Sequence, residues 1–271
     1  MALVDVGDIQ LDCERSGSGP PLLLIMGMSG TALHWGEPFL ELLRNDFEVI
    51  AYDHRGIGQS TRLENPEEGR LSIVQMADDA AGLLRALGLD SAHVVGISMG
   101  GMIAQDLALA HPELVSTLTL GCTYCGGPGS ALTSNEVGRK LFEGMQSGDR
   151  RLALRAAWDV NVSPAVADDE ALYASFLEIA ERRAVAVPVA MAQAMAIAGH
   201  DTSARLHELA MPTLVVHGTE DEMLPVANGR LITSLIPGAR LEILDGVGHL
   251  FFWEAPERSA ELIRDHAAVR A

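Results

Sequence analysis

The sequence predicts an α/β protein, a mostly parallel doubly wound sheet carrying an inserted helical cap. Three observations carry this. Short apolar runs recur along the chain with helical segments between them, the order that builds a parallel sheet covered on both faces. A turn-rich opening with apolar and polar residues alternating precedes those runs. One long stretch, 126–210, has helical spacing and no strand-like segment.

Taken in order, Ala2 to Arg15 alternates about Gly7-Asp8, which predicts an edge hairpin. After the turn-rich Ser16 to Pro21, strands are predicted at Leu22 to Met26, Phe47 to Tyr52, His93 to Ile97, Ser116 to Cys122, Thr213 to His217 and Arg240 to Leu244. Ser72 to Leu87 opens on Ser-x-x-Gln, a capping box, and Gly88 stops it. Met99 to Ala110 and Ala227 to Ile236 follow their strands as helices, and Pro256 opens a last helix at the first-turn position proline tolerates. Residues 1–125 and 211–271 therefore make one core. The insert, 126–210, follows the sixth strand, opening on Gly126-Gly127-Pro128-Gly129 and closing at Ala210-Met211-Pro212. An insertion at the carboxyl end of a parallel strand lies over the crevice where such sheets bind ligands, so it reads as a cap.

Composition bounds the function. With 271 residues, 48% hydrophobic and 21% charged, the chain buries a full core, which excludes disorder, collagen and a small disulfide-stapled scaffold. Lys and Arg number 19 against 37 Asp and Glu, a net charge of −18, so nucleic acid and anionic membranes are poor partners. Three cysteines cannot all pair, which favours a reducing compartment. The N-terminus lacks a basic region and Leu22 to Met28 is too short to span a bilayer, so no signal peptide or membrane insertion is expected and the chain reads as cytoplasmic. Aromatics are only 4%, and the 11 methionines suit an adaptable apolar lining.

The sharpest motif is Gly96-Ile97-Ser98-Met99-Gly100-Gly101, between a predicted strand and a predicted helix. A serine on so sharp a turn needs small neighbours, because bulkier side chains would clash. On these residues the chain resembles the α/β-hydrolase superfamily of serine hydrolases over nearly everything except the insert. The resemblance implies a triad in the order Ser, acid, His. Asp221 in Gly218-Thr219-Glu220-Asp221 matches the acid, selected over Glu220 and Glu222 by the Gly-x-x-Asp spacing, and His249 in Asp245-Gly246-Val247-Gly248-His249 matches the base. Thr123 to Asn135 holds no carboxylate, which disfavours an acid after the sixth strand. The other histidines, His34, His54, His93, His111, His200, His207, His217 and His266, read as surface, capping or core residues.

The resemblance further implies an oxyanion hole from the main-chain N–H groups of Met99 and Met28. Ile25-Met26-Gly27-Met28 departs from the commonest family pattern, His-Gly, by placing Met26 where the His stands, as in a branch with polyketide methyl esterases and perhydrolase-like enzymes. That change leaves the main-chain donor in place and alters only the bracing of the loop. Asp53-His54-Arg55-Gly56-Ile57-Gly58-Gln59-Ser60 resembles a structural family turn. No dinucleotide or Walker fingerprint and no metal spacing occurs, so neither cofactor nor metal is expected. Cys122 and Cys125 read as incidental thiols, and Asp78-Asp79 and Asp168-Asp169-Glu170 as solvated helix faces or caps.

Candidate pocket residues are His34 and Trp35 after the oxyanion loop, Leu250 and Phe251 after the base, and Trp158, Tyr173, Phe176, Met191 and Met195 from the cap. They favour a mostly apolar small-molecule ester or lactone. The expected activity is carboxylic ester hydrolysis through an acyl-enzyme on Ser98. A lactonase, a carbon–carbon hydrolase or a cofactor-free perhydrolase uses the same triad, and an acyltransferase differs only in its acceptor. Haloalkane dehalogenases and epoxide hydrolases place Asp at the elbow and are disfavoured. From another class, a ligand receptor retaining the hydrolase fold remains open, as does the oligomeric state.

Overall fold

The computed structural model describes residues 2–68 and 70–269; Met1, Gly69, Arg270 and Ala271, which the domain bounds above include, lie outside the described residues. One eight-stranded sheet runs through it in the order β1-β2-β4-β3-β5-β6-β7-β8. Its strands are β1 (Ala2–Val6), β2 (Ile9–Gly17), β3 (Pro21–Ile25), β4 (Glu48–Tyr52), β5 (Ala92–Ile97), β6 (Val115–Gly121), β7 (Thr213–Gly218) and β8 (Arg240–Leu244). The β1–β2 hairpin turns at Gly7, where φ is 63°, and pairs Val6 with Ile9. β2 runs on to Gly17, past the predicted end, because Cys13 to Gly17 pair antiparallel with β4. All later pairings are parallel.

The helices are α1 (Glu37–Arg44), α2 (Ile73–Ala86), α3 (Met99–Ala110), α4 (Asn135–Gln146), α5 (Arg150–Asn161), α6 (Pro164–Ala167), α7 (Glu170–Arg182), α8 (Val187–Ala198), α9 (Ala227–Leu235), α10 (Phe251–Glu254) and α11 (Pro256–Ala267). Alternation along the central strands sorts the layers. Leu22, Leu24, Val95 and Ile97 pack with Phe39 and Leu43 of α1 and Leu262 and Ile263 of α11. Leu23, Ile25 and Val94 pack with α2, α3 and Ile232 of α9 on the other face.

The crossover β3–α1–β4 lies on one face, and β4–α2–β5 returns over the other to place β5 beyond β3. The strand order reverses there, so the loops after β3 and β5 open a crevice at their carboxyl ends. The insert supplies α4 to α8 between β6 and β7. Ser134, Asp149 and Asp169 start α4, α5 and α7 by accepting first-turn N–H groups.

One expectation is corrected here. Asp79 is buried and accepts from Arg55 Nε at 2.6 Å. It stands on the inward face of α2, whereas its neighbour Asp78 is exposed beside His111. Among the described residues no helix is long and apolar enough to cross a membrane.

Candidate active site

Ser98 joins β5 to α3 with φ 55° and ψ −124°, a backbone that costs a non-glycine residue about 1–3 kcal/mol. Packing holds it there. Gly100 lies against the Ile25 and Met26 carbonyls and Gly96 against that of Gly100, so a Cβ at either position would collide with main chain. The Ser98 N–H donates to Gly121 O at 3.0 Å, and Thr123 Oγ1 donates to Ser98 O at 2.7 Å. Met99, as the first residue of α3, has an N–H without an intrahelical acceptor.

The loop after β3 lies beside this serine. A Cβ on Gly27 would stand 3.1 Å from Ser98 Cβ and 3.6 Å from its Oγ, so glycine leaves the hydroxyl its space. Exposed Met28 follows. Four side chains fix the loop. His54 Nε2 donates to Met26 O at 2.8 Å, Asp53 Oδ1 accepts the Ala32 N–H at 2.7 Å, His34 Nδ1 accepts the Thr31 N–H at 3.0 Å and Gln193 Oε1 accepts the Ser29 N–H at 2.8 Å. The Asp-His-Arg-Gly turn thus braces this loop, while the Met26 side chain fills core among Trp35 and Phe39. Asp53 also pairs with Arg183, at the end of α7, which reaches Asp12 at 2.8 Å.

Asp221 and His249 follow β7 and β8. His249 Nδ1 donates to Asp221 Oδ2 at 2.8 Å with both residues buried, which leaves Nε2 as the available ring nitrogen. Asp221 Oδ1 accepts the Leu224 N–H at 2.8 Å. His217 Nε2 lies 3.2 Å from Asp221 Oδ2 and donates to Leu224 O at 2.7 Å. Burial pushes the Asp221 carboxyl up, but His249 and His217 outweigh it and hold the group well below the usual carboxylate range. Cys122, His217 and Asp221 gather donor atoms within 4.8 Å. Within it His217 Nε2 donates to Leu224 O, and burial followed by the Asp221 charge pushes the Cys122 thiol up. All three cysteines are free and buried.

Ser98 follows β5 and His249 follows β8, three strands along the sheet. Gly121 accepts from Ser98, and Cys122 Sγ approaches Gly248 O at 3.9 Å. Among the described residues no hydrogen bond of 3.5 Å or less joins Ser98 Oγ to His249. Glu254 fixes the histidine loop to the insert, its Oε1 accepting the Gly248 N–H at 2.9 Å and the Ser163 N–H at 3.0 Å, while the Leu250 N–H donates to Asn161 O.

Several predicted pocket residues lie elsewhere. Trp35 is buried with its ring 5.9 Å from Phe39 and 4.7 Å from Phe252, and Phe251 is buried against Gly121, so both are core beneath the loops. Met191 and Met195, on α8, are 54% and 53% exposed. Trp158 is buried against Phe176 and Trp253, and Tyr173 stacks beside it with Arg155 over its ring at 4.8 Å. His34 is edge-on to Phe176, and burial pushes its pKa down to about 4. Leu250 is half-buried at the start of α10. A cavity of about 120 Å³ lined by Ala32, Leu33, Leu40 and Ile179 includes none of Ser98, Asp221 or His249.

Gln193, Glu254, His217 and Trp253 escape a reading of the sequence. Their partners are remote, as with Trp253 Nε1 donating to His34 O across 219 positions. Gln193 alone carries a local sign, being the single polar residue of its helix.

Residues 20–256 match the family model described as alpha/beta hydrolase fold. The chain is 31% identical over 261 residues to a protein of Azorhizobium caulinodans with the provisional name carbamate hydrolase RutD, covering 95% of this chain and 94% of that one. It is 30% identical over 246 residues to the poly(3-hydroxyalkanoate) depolymerase of Ectopseudomonas oleovorans, covering 90% and 82%. A hydrolase from Pseudomonas aeruginosa superposes with a TM-score of 0.83 at 26% identity, over 99% of this chain and 98% of that one.

Proposed function

Because this chain belongs to the α/β-hydrolase fold family, we propose that it is a serine hydrolase of carboxylic esters, with residues 126–210 as the cap that selects the substrate. Ser98 Oγ attacks the ester carbonyl, and the negative oxygen that results is met by the Met28 and Met99 N–H groups. His249 Nε2 takes the hydroxyl proton and passes it to the leaving alkoxide. Asp221 orients the ring and stabilises the imidazolium. Water then attacks the acyl-enzyme by the same proton route in reverse, releasing the acid and restoring Ser98. Three free, buried thiols support a reducing compartment.

The observation that carries this reading is the buried His249–Asp221 pair, whose members follow β8 and β7, three and two strands along the sheet from a serine held at φ 55°. The name of the 31% identical relative favours carbamates as a second reading, since the same constellation forms a carbamoyl-serine. Purified protein and Ser98→Ala are compared on p-nitrophenyl esters of increasing acyl length and on a p-nitrophenyl carbamate. Ester turnover should show a chain-length optimum and fall by about 10³-fold or more in Ser98→Ala, with the fold retained by circular dichroism. Unchanged turnover in the alanine protein would sink the mechanism. A carbamate outpacing the ester of matched size would replace the first reading with the second.

A further inference from the structure

Helix α8, Val-Pro-Val-Ala-Met-Ala-Gln-Ala-Met-Ala-Ile-Ala, holds one polar side chain. A surface helix ordinarily turns such a residue to water. Here the phase is inverted. Gln193 is 0% exposed, whereas Met191 and Met195, roughly 200° around the helix from it, are open to solvent. A buried amide is costly unless both of its ends are used. The oxygen end is used, because Oε1 accepts the Ser29 N–H at 2.8 Å. Since only the oxygen can accept, that bond also fixes which end is nitrogen, and Nε2 is buried without a partner. Ser29, at φ 58°, directly follows the proposed oxyanion donor Met28, and a Cβ on Gly27 before it would stand 3.1 Å from Ser98 Cβ.

We infer that Gln193 is a specificity-determining residue of the Ser98 site. Its Oε1 sets the oxyanion loop, and its Nε2 donates to an oxygen on the substrate's acyl group within a few bonds of the scissile carbonyl. The acyl side is indicated because Gln193 anchors at the end of β3, with β5, β6 and β7 between it and the β8 end where His249 serves the leaving group. The substrate class is thus an ester whose acyl chain carries a nearby ether, hydroxyl or carbonyl oxygen. A donor left unpaired by a plain alkyl chain is the means of discrimination. This inference rests on the serine hydrolase reading above.

The test compares p-nitrophenyl butyrate with p-nitrophenyl methoxyacetate, which differ by one CH₂ replaced by oxygen. Gln193→Glu keeps an oxygen for the Ser29 N–H and removes the donor; Gln193→Met removes both. The kcat/KM ratio of methoxyacetate to butyrate should fall about tenfold in Gln193→Glu, the worth of one hydrogen bond. Gln193→Met should lose that ratio and also lose kcat on both esters, at similar KM. A ratio unchanged in both variants, with Ser98→Ala inactive, overturns the donor role alone. Full kcat in Gln193→Met overturns the positioning role. Activity surviving in Ser98→Ala removes the underlying mechanism instead, so the failures are distinguishable. Thermal unfolding of each variant separates lost fold from lost function, and Gln193→Met answers both questions if Gln193→Glu does not fold.

Discussion

Ser98 keeps its strained backbone because its neighbours yield space that only glycine provides, and Gly27 yields it to the hydroxyl itself. Gly27→Ala should therefore leave the fold standing and reduce kcat by about 10²-fold, the scale at which sub-ångström misplacement is felt; steady-state kinetics and a melting curve check both halves. Asp221 adds a pH signature. Its folded-state pKa is depressed, so its stabilising contribution is full above the ordinary carboxylate pKa of about 4 and is lost as pH falls through the depressed value. The difference in Tm between wild type and Asp221→Asn should be flat above pH ~5 and shrink in acid. These residues were legible in the sequence because each sits in a short motif at a strand end. Trp35 and Phe251 are buried in the core instead, because an apolar letter beside a motif does not say which way its side chain turns. In α8 the single polar residue, Gln193, is buried along with Val189, Ala192 and Ala196.

Among elements, the short α10 matters beyond its length. Glu254 at its end gathers two main-chain N–H groups, one beside His249 and one between α5 and α6. Trp253 packs there against Trp158 and Phe176. Burial pushes the Glu254 carboxyl up, only partly offset by those two donors. Glu254→Gln should retain activity, because an amide oxygen still accepts both bonds. Glu254→Ala should cost about 1–3 kcal/mol of stability and lower kcat, read from urea midpoints and turnover. The strands and the α2, α3 and α9 helices follow from apolar runs and capping residues. These ties do not, since Glu254 and Ser163 stand 91 positions apart and nothing local in either marks the other.

For the molecule as a whole, the layers were readable from the alternation of strands and helices, whereas the ties that hold α4 to α8 to the rest were not. Arg183 crosses from the insert to two buried carboxylates, Asp12 and Asp53, and Asp53 in turn holds Ala32. Arg183→Leu should destabilise by about 3 kcal/mol, because it strands buried charge. Burial already raises the Asp53 pKa. A raised folded-state value means the penalty applies above that pKa, so the loss should narrow as pH falls through it, measured by denaturant midpoints at several pH values.

The insert leaves the sheet after β6 and rejoins it at β7, and those strands are neighbours. Their pairing does not depend on what is threaded between them, and closing a longer loop costs little more than closing a shorter one. The segment is in that sense a cassette, open to exchange during descent without rewiring the sheet. Its compatibility conditions include a residue for Ser29 to donate to, a cation for Asp53, a free N–H for Glu254 and a carbonyl for the Leu250 N–H. A transplanted segment that met them would leave the loops after β3 and β8 held as they are here.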